Sequence, residues 1–243
     1  MDLFLKFKKD YLNYLTSIIL PALIAGIFIP VFKHLLGAKG YGNFSIWFNA
    51  ILILTAILSG WIAQSIILFY PASADKQLFS KQALILSART QAIFFVPVLL
   101  VIWFISHNFI LALLCSLVLV VTSIQFTILP IIQSGFLSTK IILSELIRVA
   151  TYVFCAVLLL SLSGLNYLYS LFLSVIASYT FSLLYLIKQA KSFFKNQSFN
   201  TDEILGQKKL FRIFFNYGAP LSLWFVFAYL LSYVDKLFML KNL

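Results

Sequence analysis

The sequence predicts an all-α, polytopic membrane helix bundle of about seven transmembrane helices. Three observations carry that expectation. Of 243 residues, 62% are hydrophobic and only 10% are charged, where a soluble domain carries about 25% charged residues. The charges are also bunched, leaving uncharged runs of 22 residues (Asp10 to Lys33), 35 (Lys39 to Asp75), 50 (Arg89 to Lys140), 39 (Arg148 to Lys188) and 22 (Arg212 to Asp235). Within those runs the apolar residues are continuous rather than alternating. That pattern selects helices over a barrel, because in lipid each backbone polar group must be satisfied inside its own helix or in a closed sheet.

A helix of about 20 residues crosses the hydrocarbon, so three of the runs each hold one span, at 12–33, 44–70 and 213–234. As single helices the two longest runs would measure roughly 75 and 60 Å, about twice the hydrocarbon thickness, and each must fold back. Ser106-His107-Asn108 interrupts the first of these, and the stretch from Ser161 to Asn166, with Gly164 inside it, interrupts the second. Both are turn-forming sequences, which divides the runs into spans at 90–106, 109–135, 144–162 and 166–187. Between the first two spans lies LLGAKGYGNFS (35–45). A phosphate loop would need a preceding strand and a glycine-lysine-hydroxyl order. Gly37 is therefore read as the stop of the first span, Gly40 and Gly42 as the turn, and Asn43 as the cap of the second.

Fourteen of the 18 lysines and arginines fall in the amino-terminal segment and the loops after the second, fourth and sixth spans. The positive-inside rule then puts the amino terminus in the cytoplasm. The net charge of +11 is accounted for by a basic rim facing anionic lipid and calls for no nucleic acid. The first apolar stretch is too long for a cleaved signal peptide. Cys115 and Cys155 lie within expected spans and read as small buried hydrophobes.

Chemistry-bearing clusters are scarce. The chain has seven acidic residues and two histidines, His34 and His107, and none forms a metal-ligand or acid-base spacing. No Walker pattern occurs. The reading is a non-enzyme without cofactor or metal. Asp202-Glu203 reads as helix-start punctuation.

Milder polar groups recur within the spans. Ser170, Ser174, Ser178 and Ser182 repeat every fourth residue, and Ala56, Gly60 and Gln64 form a similar stripe with Asn49 close by. Such stripes let a second helix approach closely. Thr122, Gln125 and Gln133 share one face, and Pro21, Pro97, Pro130 and Pro220 are expected to kink or open their helices. Glu145 and Arg148, three apart at the cytoplasmic start of the fifth span, are positioned to pair. Lys33-His34 and Asp235-Lys236 end the first and seventh spans. For an anionic substrate the natural contacts are Arg148 and Lys33, with Gln64, Gln125, Asp235 and Lys236 as further candidates. Glu145 is the one interior carboxylate suited to coupling with an ion.

The order of three segments resembles a family. FKHLLGAKGYGNFSIW closes the first span, GWIAQSIILFYPAS closes the second, and LFRIFFNYGAPLSLWFVFAYLLSYVDKLFM carries the seventh. Leu36-Gly37 with Tyr41-Gly42, Gly218-Ala219-Pro220 and Asp235-Lys236 are similar to motifs of the polysaccharide (O-antigen and capsule, Wzx-type) flippases. These belong to the multidrug/oligosaccharidyl-lipid/polysaccharide (MATE-like) transporter superfamily. The resemblance implies two six-helix lobes working by alternating access on an undecaprenyl-diphosphate-linked oligosaccharide. It places them in the bacterial cytoplasmic membrane alongside a glycan polymerase and other surface-polysaccharide assembly proteins. A shift of 203 residues sets Asn13-Tyr14 on Asn216-Tyr217 and Lys33 on Lys236, as internal repeats would. The expected organisation is thus a MATE-like six-helix lobe (1–190), a basic cytoplasmic linker (191–212) and the first helix of an incomplete second lobe (213–243), a truncated form. Alternatives are an exporter of drugs or metabolites and a fragment without function.

Overall fold

A computed structural model describes the backbone of residues 2–135, 138–162, 164, 166–194 and 202–241. Side chains are described from Leu15 to Gln189 and from Leu210 to Val234, save at scattered positions. The described residues form six helices: α1 (Asp2–Ala72), α2 (Lys76–Ser106), α3 (Phe109–Ser134), α4 (Ser138–Leu162), α5 (Tyr167–Phe194) and α6 (Asp202–Lys241). Each contains a segment long and apolar enough to cross a bilayer. The chain is an all-α, polytopic membrane bundle.

The first two expected spans are the two arms of α1, and the break between them is one residue. Gly37 alone leaves helical geometry, at φ 71° and ψ 163°. Gly40, Gly42 and Asn43, expected to be turn and cap, are helical instead. One glycine suffices because that conformation belongs to a region open essentially to glycine only. The arms fold back on each other. Ile24 and Asn49, Phe28 and Ser45, and Phe32 and Tyr41 all line one cavity, and each pair is centred on position 36.5. A continuous helix would hold Ile24 and Asn49 about 37 Å apart. A β-carbon at Gly37 meets nothing within 4 Å, so Gly37→Ala tests backbone strain alone. It is expected to cost about 1–3 kcal/mol, while Gly26→Ala, also free of neighbours, is neutral or slightly stabilising as a helix-propensity gain. Thermal unfolding of the two variants in detergent is the measurement.

The other expected turns form as read. His107 closes α2 with φ 52°, and Asn108 caps α3 by accepting from the Leu111 N–H at 3.0 Å. Gly164 has φ 59°, and Asn166 accepts from the Leu168 N–H at 3.0 Å. Two tyrosines gather these turns at one end of the bundle. Asn43 Nδ2 donates to the Tyr167 hydroxyl at 3.5 Å, and Asn108 Nδ2 to the Tyr169 hydroxyl at 2.6 Å. Helices α2, α3 and α6 run through Pro97, Pro130 and Pro220. The linker expected at 191–212 is largely taken up by helix, since α5 extends to Phe194 and α6 begins at Asp202.

Burial separates two ranks of helices. Half or more of the most apolar window is buried in α1, α3 and α5 (61, 56 and 50%), against 17–18% in α2, α4 and α6. The inner rank shares a core of Phe44, Ile51, Cys115, Leu119, Phe172 and Val175. The outer rank presents Phe104, Phe154 and Trp224 outward, each two-thirds exposed or more. Lipid tails are as apolar as these side chains, so burial by itself does little to hold the helices together, and close packing and interhelical hydrogen bonds must do more. Both are present. Thr55 of α1 meets Thr122 of α3 at 2.9 Å, Gln91 of α2 donates to Ser59 of α1 at 3.0 Å, and Thr127 of α3 donates to Ser87 of α2 at 2.8 Å. All four serines of the α5 stripe are buried. The α1 stripe receives α6, with Gly60 facing Ser222.

Helix α6 seats on the second arm of α1 through glycine and aromatic rings. A β-carbon on Gly218 would stand 2.0 Å from the Trp61 carbonyl oxygen, so the backbones touch there. Ser65 donates to the Phe214 carbonyl at 2.9 Å, and Trp61 packs edge-on against Phe211 and Phe215. The helix of the seventh span is thereby packed on the second arm of α1. The repeat partners Asn13, Tyr14 and Lys236 have side chains outside the described set.

Candidate functional site

The chemistry collects where α1, α3, α4 and α5 meet. On α4, Glu145 and Arg148 lie one turn apart, and the Arg148 Nε and Nη2 both donate to Glu145 Oε2, at 3.0 and 2.5 Å. From α3, Gln125 Nε2 donates to the other carboxylate oxygen at 3.2 Å. From α5, the Tyr179 ring lies under the guanidinium, 5.2 Å from its centre, in cation–π contact. An ion pair held by three helices is thus braced on both members.

Its position along the helix differs from expectation. The sequence sets the pair at the cytoplasmic edge of a span starting at 144, but α4 starts at Ser138. Arg148 lies ten residues, or about 15 Å, into the helix, near the middle of the apolar segment Thr139–Ser161. A charge at that depth is costly unless it is paired and faces the bundle interior. Arg148 meets both conditions, being paired and only partly exposed.

Arg148 lines a cavity of about 290 Å³ between the two arms of α1, α4 and α5. The second arm contributes Tyr41, Ser45 and Asn49, four residues apart and so on one helix face. Helix α4 adds Tyr152, one turn beyond Arg148, and α5 adds Ser178 and Tyr179. Phe28 and Phe32 from the first arm close the other side. Asn49 is 6% exposed and its Nδ2 has no hydrogen-bond partner. A buried amide donor left without an acceptor costs free energy, and a ligand oxygen in the cavity would supply one. Arg148 has five N–H donors, two of which go to Glu145. The cavity therefore offers donors from two directions, one of them charged, within walls that otherwise mix aromatic, hydroxylic and aliphatic side chains.

Of the candidates named from sequence, Arg148, Glu145 and Gln125 come together, and only Arg148 lines the cavity. Lys33 is exposed near the Gly37 turn, and half-buried Gln64 does not reach the cavity. The side chains of Asp235 and Lys236 lie outside the described residues. Sequence reasoning names Tyr41 only within the Tyr41-Gly42 motif and does not single out Ser45, Tyr152 or Tyr179. The four-residue spacings 41/45/49 and 148/152 are the signal, hidden because half-polar tyrosines and serines also serve as packing residues in membrane helices. Among the described residues, no three His, Cys, Asp or Glu side chains converge as metal ligands would. Comparison with protein-family models, with characterised proteins and with solved structures finds no match.

Proposed function

We propose that the chain belongs to a flippase that moves an undecaprenyl-diphosphate-linked oligosaccharide from the cytoplasmic to the periplasmic leaflet of the bacterial cytoplasmic membrane by alternating access, for surface polysaccharide synthesis. The observation that carries this reading is Arg148, a guanidinium near the middle of an apolar helix that opens onto a donor-rich cavity. A diphosphate needs such donors on its way through hydrocarbon, and Arg supplies them in a planar fork. The order of the glycine and proline motifs in the sequence supports the same reading. The alternative, an exporter of cationic drugs, would want a carboxylate on the cavity wall, whereas the charged residue lining it is Arg148.

Vesicles reconstituted with the chain and a fluorescent polyprenyl-diphosphate oligosaccharide test the proposal. Head-group accessibility from outside should rise faster than in protein-free vesicles. The double variant Glu145→Gln, Arg148→Gln should slow the rise by at least about tenfold, the equivalent of one lost charge-assisted contact of ~1.4 kcal/mol. Equal rates with and without protein, or no effect of the double variant, would refute the assignment.

A further inference from the structure

A second cavity adjoins the first. Its volume is about 730 Å³ and it lies as an open groove between the first arm of α1 and α4, walled by Leu146, Ala150, Phe154, Val157 and Leu158. Apart from Ser161 at one end its lining side chains are apolar. It shares Ile24, Phe28, Val149 and Val153 with the Arg148 cavity. Those four side chains form the sill between an apolar groove open to the outer surface of the bundle and a donor-rich chamber inside it.

We infer that groove and chamber form one site for a single amphiphile, a lipid with a phosphate or diphosphate head. Its chain lies along α4 in the groove, and its head reaches over the Phe28–Val153 sill to Arg148 and Asn49. The inference rests on the proposed function and deepens it by giving the lipid chain a place and the head group a lateral route. The choice of occupant follows from continuity and charge. A neutral lipid would gain from the groove alone and leave the buried Asn49 amide unanswered. A soluble anion would gain from the chamber alone. Only a molecule with both parts satisfies the two halves. Access from the side also spares the head a passage through the inner helices, where the Thr55–Thr122 contact locks α1 to α3.

The test is binding of undecaprenyl diphosphate to the purified chain in detergent, with inorganic diphosphate and phosphatidylcholine as comparison ligands. Ala150→Trp and Val157→Trp each fill part of the groove from exposed positions outside the Arg148 cavity. Either should weaken undecaprenyl diphosphate binding by about tenfold, since displacing two or three chain methylenes is enough. Neither should alter inorganic diphosphate binding, and Asn49→Leu should weaken both diphosphates. Each substitution acts independently, so failure of one variant to fold leaves the other as the test. Wild-type affinity in both tryptophan variants would overturn the inference, as would equal competition by phosphatidylcholine, which would mark the groove as ordinary lipid surface. A change in oligomeric mass in place of lipid binding would overturn it in favour of a second copy of the chain. If diphosphate binding depends on Arg148 but not on the groove, the inference fails and the flippase reading stands; if undecaprenyl diphosphate does not bind at all, both fall.

Discussion

Arg148→Met is expected to destabilise the bundle by about 3 kcal/mol or more, because it leaves Glu145 charged at membrane depth without its partner. Gln125 alone would remain as a donor to that carboxylate, and one neutral amide does not replace a guanidinium giving two hydrogen bonds. The loss should appear as a lower unfolding midpoint in detergent. Combining Arg148→Met with Glu145→Gln removes both charges and should recover most of the stability, since replacing a buried ion pair with neutral groups of similar size is often near neutral. Diphosphate binding should be lost in the single and double variants alike. That split separates the two roles of Arg148, with stability following the pair and binding following the guanidinium. A double variant as unstable as the single one would show that the ion pair is not what holds these helices.

Gly218→Ala should be comparably severe for a different reason. The new β-carbon would fall 2.0 Å from the Trp61 carbonyl oxygen and 2.6 Å from Ser65 Oγ. A serine can rotate away, but a helix carbonyl cannot, so α6 must lift off α1. That movement costs the Ser65 to Phe214 hydrogen bond and the ring contacts around Trp61, together about 3 kcal/mol or more. A cross-link reads the displacement directly. Cysteines replacing Gly60 and Ser222, whose β-carbons would be 3.3 Å apart, are close to disulfide spacing. In a chain with Cys115 and Cys155 replaced by alanine, that disulfide should form readily while Gly218 is kept and poorly once Gly218→Ala is added. Equal cross-linking would show that α6 tolerates the methyl and that the glycine serves another purpose.

Helix positions were largely legible in the sequence. The turns at His107–Asn108 and Gly164–Asn166 stand where polar residues break the long apolar runs. Helix starts were less so. Residues such as Ser138 and Thr139 are compatible with either loop or helix, and the six-residue difference at the start of α4 moves Arg148 from the first turns of the helix toward its middle. The stretch LLGAKGYGNFS reads as a turn spread over several glycines because composition does not say which glycine takes the left-handed conformation. Gly37 takes it, and Gly40 instead lets the Tyr167 ring approach to 3.6 Å from where a β-carbon would be.

By itself the sequence determined that the chain is a bundle of apolar helices with a Glu145–Arg148 pair on one of them. Those properties are local: a bilayer demands about 20 apolar residues per crossing and internally satisfied backbone, and residues three apart on a helix meet wherever it goes. Only the tertiary structure decided that Gln125 and Tyr179 brace that pair, that Asn49 faces it across a cavity, and that Gly218 lies against Trp61. In lipid, hydrophobicity does not rank one face of a helix above another, so helix rotation is set by the fit of small residues and a few interhelical hydrogen bonds. Those matches exist only once the helices are assembled.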